Sequence, residues 1–357
     1  MSNQRYRYPL ELMALIILTA AAWAGLLRLG WAWPVLQPTL PISHGPLMVA
    51  GFFSTLIALE RAVAMGRTWA YGSPLLSGIG GLLMAFGLAG QVGPILMTLG
   101  SAWLVLIFAA ILRKHRDGYM LVMAIGALAL LVGNLLWIIG KPVFQLVLWW
   151  AGFLILTIAG ERLELGRMVR QTRFSRVAFA LALVTFLAGL VILLSDWDLG
   201  MRLAGIGMIL LSLWLLRFDI ARRTVKQSGL TRFIAVCLLS GYVWLLVSGI
   251  IALLYGAVPV GPVYDAMLHA IFLGFVFAMI FGHAPIIFPA VLEIEIEYKP
   301  YFYLPLALLH ISLVVRIGGE LLGSGTARLW GGLFNVIAVM LYLGMLAPKG
   351  SSRKSKI

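Results

Sequence analysis

Charge is scarce in this sequence, and so is cysteine. Charged residues make up 11% of the chain and hydrophobic ones 62%, whereas a soluble domain carries about 25% charged and about 45–50% apolar residues. So few ions cannot surface a water-facing globule, and a soluble fold is excluded. A disordered chain, which needs low hydrophobicity, is excluded with it. The single cysteine, Cys237, rules out an internal disulfide framework. Acidic residues are the rarer sign, 13 against 27 Lys and Arg, for a formal charge of +14. Such an excess can mark a nucleic-acid binder. Here, however, the basic residues sit in short segments between apolar runs, as they do when a membrane protein sets its orientation, so nucleic acid is not an expected partner.

What the sequence has in quantity is long apolar runs. A helix crosses the hydrocarbon core with about 20 mostly apolar residues. Such runs lie near residues 10–30, 43–64, 72–91, 93–112, 119–140, 142–160, 176–195, 200–217, 230–254, 262–288, 301–322 and 327–347. The expected fold is an all-α integral membrane protein of about twelve transmembrane helices, a single domain over residues 1–357 surrounded by membrane lipid. The first run is followed by Pro34, Pro38 and Pro41 instead of a small-residue cleavage site, so it reads as a retained helix.

The basic residues alternate from loop to loop. Arg5 and Arg7 precede the first run, and Arg61 and Arg67 follow the second. Arg113, Lys114 and Arg116 follow the fourth, and Arg162, Arg167, Arg170, Arg173 and Arg176 the sixth. Arg217, Arg222, Arg223, Lys226 and Arg232 follow the eighth, and Lys349, Arg353, Lys354 and Lys356 the last. Arg28, Lys141, Arg202 and Arg328 are the strays. The positive-inside rule then expects both termini in the cytoplasm, in keeping with a bacterial inner membrane. The loop after the tenth run carries Glu293, Glu295 and Glu297 against Lys299, but acidic residues contribute little to the rule, and no chemistry is assigned to them.

Three of the runs share a pattern. The second has Ala50-Gly51-Phe52 and then Glu60-Arg61; the sixth has Ala151-Gly152-Phe153 and then Glu161-Arg162; the tenth has Leu273-Gly274-Phe275 and then His283-Ala284. The spacing from glycine to polar residue is the same in each, and the copies fall four helices apart. This predicts a pseudo-threefold arrangement of four-helix units starting near residues 10, 119 and 230. Each glycine would let helices approach closely. The paired Glu and Arg read as ion pairs and anchors near the cytoplasmic ends.

Ionisable groups inside spans are candidates for function because they are costly there. His115 sits in a basic loop and reads as solvated. His44 opens the second run, and His269 lies about two turns into the tenth, both in the outer half. Two neutral imidazoles at one depth on different helices can clamp a haem iron from both sides. His283 and His310, in the cytoplasmic half, could meet as a second site, where imidazole would suit copper, iron or zinc. Arg316 lies one turn from Glu320. It forms either an intrahelical ion pair or a bidentate partner for a haem propionate.

Two families share these features. His44-Gly45-Pro46-Leu47, His269-Ala270, Gly274, Gly282-His283, Tyr303, Pro305 and Arg316 resemble the signature of the NnrS family, haem- and copper-containing bacterial membrane proteins linked to denitrification and nitric-oxide tolerance. In topology the chain is also similar to the main subunit of the haem-copper oxidases, whose low-spin haem is held by histidines on helices 2 and 10. The resemblance implies haem b on His44 and His269, copper as a further candidate, and nitric oxide or a redox donor as partner. The oxidases also need a histidine on helix 6 and a pair on helix 7. This chain has none there, so a binuclear oxygen- or nitric-oxide-reducing centre is not expected. The alternative reading is a secondary transporter, which also has twelve spans, internal repeats and buried charges.

Overall fold

The computed structural model describes residues 4–88, 90–166, 172–293 and 296–346. Arg167, Arg170, Glu295 and the basic residues beyond position 346 lie outside the described residues. Among the described residues the chain is all helix and turn, with no strand. We number the helices α1 Gln4–Leu29, α2 Pro41–Met65, α3 Gly72–Ala85, α4 Val92–Lys114, α5 Gly118–Ile138 and α6 Val143–Leu165. Then follow α7 Arg173–Ile192, α8 Trp197–Phe218, α9 Gly229–Tyr255, α10 Pro262–Val291, α11 Tyr303–Leu321 and α12 Gly325–Leu346.

Eleven of these are long and apolar enough to cross a membrane, and the protein is an integral membrane protein of the all-α class. The exception is α3, with 14 residues preceded by a 3₁₀ turn, Thr68–Tyr71. The apolar run predicts a helix to residue 91, but it stops at Ala85. Gly87 and Gly90 take positive φ, 68° and 49°, and turn the chain instead.

Neighbours in sequence pack as antiparallel pairs, and α4 against α5 and α8 against α9 join one group of four to the next. Contact of α1 with α12 closes the ring. Inside it stand α2, α6 and α10. Their apolar windows are 61%, 83% and 61% buried, more than in any other span. The helices that share the Gly-to-polar pattern are therefore the central ones. A Cβ at Gly51 would lie 2.9 Å from Ile17, one at Gly152 would lie 3.0 Å from Leu190, and one at Gly274 would collide with Trp244. All three glycines sit at close helix contacts, as the repeat predicts.

The start of α1 and the end of α12 lie at one face. Arg7, near the start of α1, donates to Val291 O at the end of α10 (2.9 Å). The Tyr342 hydroxyl, near the end of α12, donates to Phe281 O in the same half of α10. This is called the terminal face below, and its opposite the far face.

Two of the central helices are not plain α-helices. In α2 the stretch Leu47–Phe53 is π-helical, and in α10 the stretch Ala270–Phe277. One begins three residues after His44 and the other directly after His269. The third central helix, α6, is α-helical throughout Val143–Leu165. π-Turns widen a helix and re-aim its side chains, and they occur frequently at functional sites.

Candidate functional site

A cavity of about 250 Å³ opens near the far face between α1, α2, α10, α11 and α12. Leu18, Met48, Phe53, Phe272, Leu273 and Phe277 give it apolar walls, and His44 and His269 both line it. Their ring centroids are 6.2 Å apart and their planes differ by 21°.

The hydrogen bonds define which nitrogen of each ring is left. His44 Nδ1 lies 2.7 Å from Ala21 O, and His269 Nδ1 lies 2.8 Å from Asp265 O. A carbonyl can only accept, so each Nδ1 carries the proton and each Nε2 keeps its lone pair. Both imidazoles are thus held by their far nitrogen, as metal-ligating histidines are. His44 also needs Gly25 beneath it, because a Cβ there would lie 2.8 Å from its Cε1.

Polar groups gather at the far-face end. Arg316 is buried, donating from Nη2 to Asp265 Oδ2 (2.6 Å) and from Nε to Glu320 Oε1 (3.2 Å). Asp265 Oδ1 is 3.3 Å from His269 Nδ1, so one carboxylate joins Arg316 to the histidine. Arg328 Nε lies 3.8 Å from Glu320 Oε1. Arg28, Arg316 and Arg328 all line the cavity, and guanidinium is the side chain best shaped for carboxylate.

These features test the fit of a haem. Two imidazoles that line one cavity with their ring centres 6.2 Å apart, each held through Nδ1, are residues that would hold a haem iron. An apolar wall suits the macrocycle, and three guanidinium groups suit its two carboxylates. A bare metal ion is less well served. No group of three or more His, Cys, Asp or Glu among the described residues could hold one, whereas a haem brings four nitrogen ligands of its own.

Over residues 7–349 the chain matches a family described as Domain of unknown function (DUF8744). The chain belongs to this family. No match was found among curated proteins or among solved structures.

Elsewhere in this DUF8744 chain, the other membrane histidines have separate partners. His283 Nδ1 donates to Met279 O (2.7 Å), and its Nε2 accepts from Arg162 Nη2 (3.0 Å), so neither nitrogen has a lone pair to spare. His310 Nδ1 accepts from Trp244 Nε1 (2.9 Å), which leaves Nε2 protonated, buried and, among the described residues, without a partner. The structure brings His44, His269 and Arg316 into one cavity and does not bring His283 and His310 together.

Sequence reasoning passed over Gly25 and Asp265. It noted Arg28 and Arg328 only as strays from the loop-charge count. That irregularity was the signal, because basic residues in a charge-poor set of loops needed another reason to be there. Arg202, a third stray, pairs with Asp198 (2.7 Å) and donates to Leu253 O and Leu254 O at the end of α9. For Asp265 the signal was an acidic residue one turn before a membrane histidine.

Proposed function

We propose that this protein holds a haem b between His44 and His269 and uses it in electron transfer or in the response to nitric oxide. The observation that carries the reading is the pair of near-parallel imidazoles, 6.2 Å apart on two central helices, each with its Nδ1 proton bound to a carbonyl. Arg316, Arg28 and Arg328 would hold the propionates. Arg316 is already engaged by Asp265 and Glu320, so it would also fix the carboxylate that orients His269. The π-helical segments support the reading, since they follow the two histidines and are absent from α6.

On the charge pattern, the far face is periplasmic and the terminal face cytoplasmic, in a bacterial inner membrane. The similarity to NnrS proteins supports nitric oxide as the relevant small molecule. The missing histidines on α6 and α7 weigh against reduction at a binuclear centre. The test is the absorption spectrum of the purified protein, expressed with ample haem supply and analysed as the pyridine haemochrome. The reading expects the Soret and visible bands of a low-spin b-type haem. A colourless wild-type protein contradicts it and turns attention to transport.

A further inference from the structure

Glu320 stands one turn from Arg316 on α11, at the far-face end of the histidine cavity, and its side chain has no exposed surface. The helix packs against α10 and α12, and each brings one charged group to Glu320. From α10 comes Asp265, whose carboxyl is within hydrogen-bond reach. From α12 comes Arg328, whose Nε lies 3.8 Å from Oε1, too far for a hydrogen bond. On α11 itself, Arg316 Nε donates to Oε1 (3.2 Å). Arg28 of α1, His44 of α2 and His269 of α10 line the same cavity. Glycines let α11 and α12 close around the group. A Cβ at Gly319 would lie 2.7 Å from Arg328 N, and one at Gly331 would lie 2.6 Å from Arg316 N.

One oxygen in this cluster is unmatched. Glu320 Oε2 is buried and, among the described residues, has no hydrogen-bond partner. Asp265 is better served: its Oδ2 accepts from Arg316 Nη2 (2.6 Å), and its Oδ1 lies 3.3 Å from His269 Nδ1. Two carboxylates thus share one buried guanidinium, which leaves one negative charge over, a costly arrangement away from water. A proton on Glu320 removes that charge and turns the unmatched oxygen into a donor toward Asp265. The count is the same with a haem in the cavity. Arg28, Arg316 and Arg328 match Asp265 and two propionates, and Glu320 is the acid left over. In the ferric state the positive charge on the iron offsets a Glu320 anion; in the ferrous state nothing does.

We propose that Glu320 couples proton uptake to reduction of the haem. A one-electron reductant converts Fe(III) to Fe(II), and one proton from the water at the cavity mouth bonds to Glu320 Oε2; electron and proton leave together on oxidation. This coupling rests on the haem reading. Its sign follows from linkage. The reduced form binds the extra proton, so raising the pH favours the oxidised form and the midpoint potential falls. The fall spans the range between the pH at which Glu320 ionises in the oxidised protein and the higher pH at which it ionises in the reduced one. At full coupling the reduction equilibrium changes about tenfold per pH unit, about 59 mV for one electron.

The test uses the full chain loaded with haem. Midpoint potentials are measured across neutral pH, and reduced-minus-oxidised infrared spectra are recorded in H2O and D2O. Wild-type protein should show a potential that falls with pH, and a carboxylic-acid C=O band that appears on reduction and moves down in D2O. Glu320→Gln should lose both, because the amide donates to Asp265 as the protonated acid does but cannot ionise. Glu320→Asp should move the band, which assigns it to this residue even if Glu320→Gln does not fold. Asp198→Asn, which removes a carboxyl paired with Arg202 outside the cavity, should match wild type. The proposal is overturned if wild-type protein lacks either signal, if either persists unchanged in Glu320→Gln, or if the band is unmoved in Glu320→Asp. A coloured protein whose potential ignores pH refutes the coupling and leaves the haem reading standing, whereas a colourless protein refutes the haem reading itself.

Discussion

Gly25 provides a sharp test of the histidine pair, because it packs directly beneath the His44 ring. A Cβ at this position would lie 2.8 Å from His44 Cε1 and 2.9 Å from Nδ1. Carbon atoms in ordinary contact sit about 3.5–4.0 Å apart, so the ring would have to retreat by about 0.7–1.2 Å. The backbone of α1 cannot yield easily, since Ala21 and Ala24 beside it are fully buried. A metal–imidazole bond of about 2 Å does not survive a displacement of that size. Overpacking of this kind costs about 1–3 kcal/mol, equivalent to about 5- to 150-fold in haem retention. Gly25→Ala should therefore shift the haem toward a five-coordinate, high-spin spectrum, and Gly25→Val should lose most of it. Gly344→Ala, where nothing lies within 4 Å of the added carbon, is the control. The assay is optical spectroscopy with haem content per protein. If Gly25→Val keeps a wild-type low-spin spectrum and haem content, His44 is not the ligand.

Three other outcomes follow from the same geometry. Asp265→Asn should keep the haem six-coordinate but raise its midpoint potential, because His269 loses the anionic partner that makes it a stronger donor; an unchanged potential in a redox titration would contradict that role. Gly152→Leu and Gly274→Leu should each lower the yield of monodisperse protein, since the new side chains meet Leu190 and Trp244; normal yield for both would remove the close-packing account of the repeat. Reporter fusions at the C-terminus and near Val260, between α9 and α10, should report opposite sides of the membrane, and the same side for both would refute the topology.

The membrane class and the helices were legible because apolar runs of span length are a strong signal and basic loops divide them. The end of α3 was not, because its apolar run continues past the point where Gly87 and Gly90 turn the chain. The pairing of His44 with His269 was legible as a shared depth, with a gap of about 10 Å on straight helices at 1.5 Å per residue. The 6.2 Å separation was not, because it depends on how α2 and α10 pack, and no local residue pattern marked their π-segments. Arg316 could be read as a partner of Glu320 from their one-turn spacing. Its bond to Asp265 joins residues 51 apart in sequence and needs α10 packed on α11. His283 and His310 could be read as meeting or as packing separately; Arg162 reaches His283 from α6, one central helix to another.

The central claim is axial ligation by one histidine from each of two repeat-related helices, and haem content per chain in matched variants tests it most directly. Wild-type protein and His115→Ala should carry the same haem with a six-coordinate, low-spin spectrum. His44→Ala and His269→Ala should behave alike, each giving a five-coordinate haem or none. His283→Ala and His310→Ala should leave that spectrum unchanged, because their rings are committed to Arg162 and Trp244. If His44→Ala and His269→Ala both retain a wild-type spectrum and haem content, the haem is bound elsewhere or the reading is wrong.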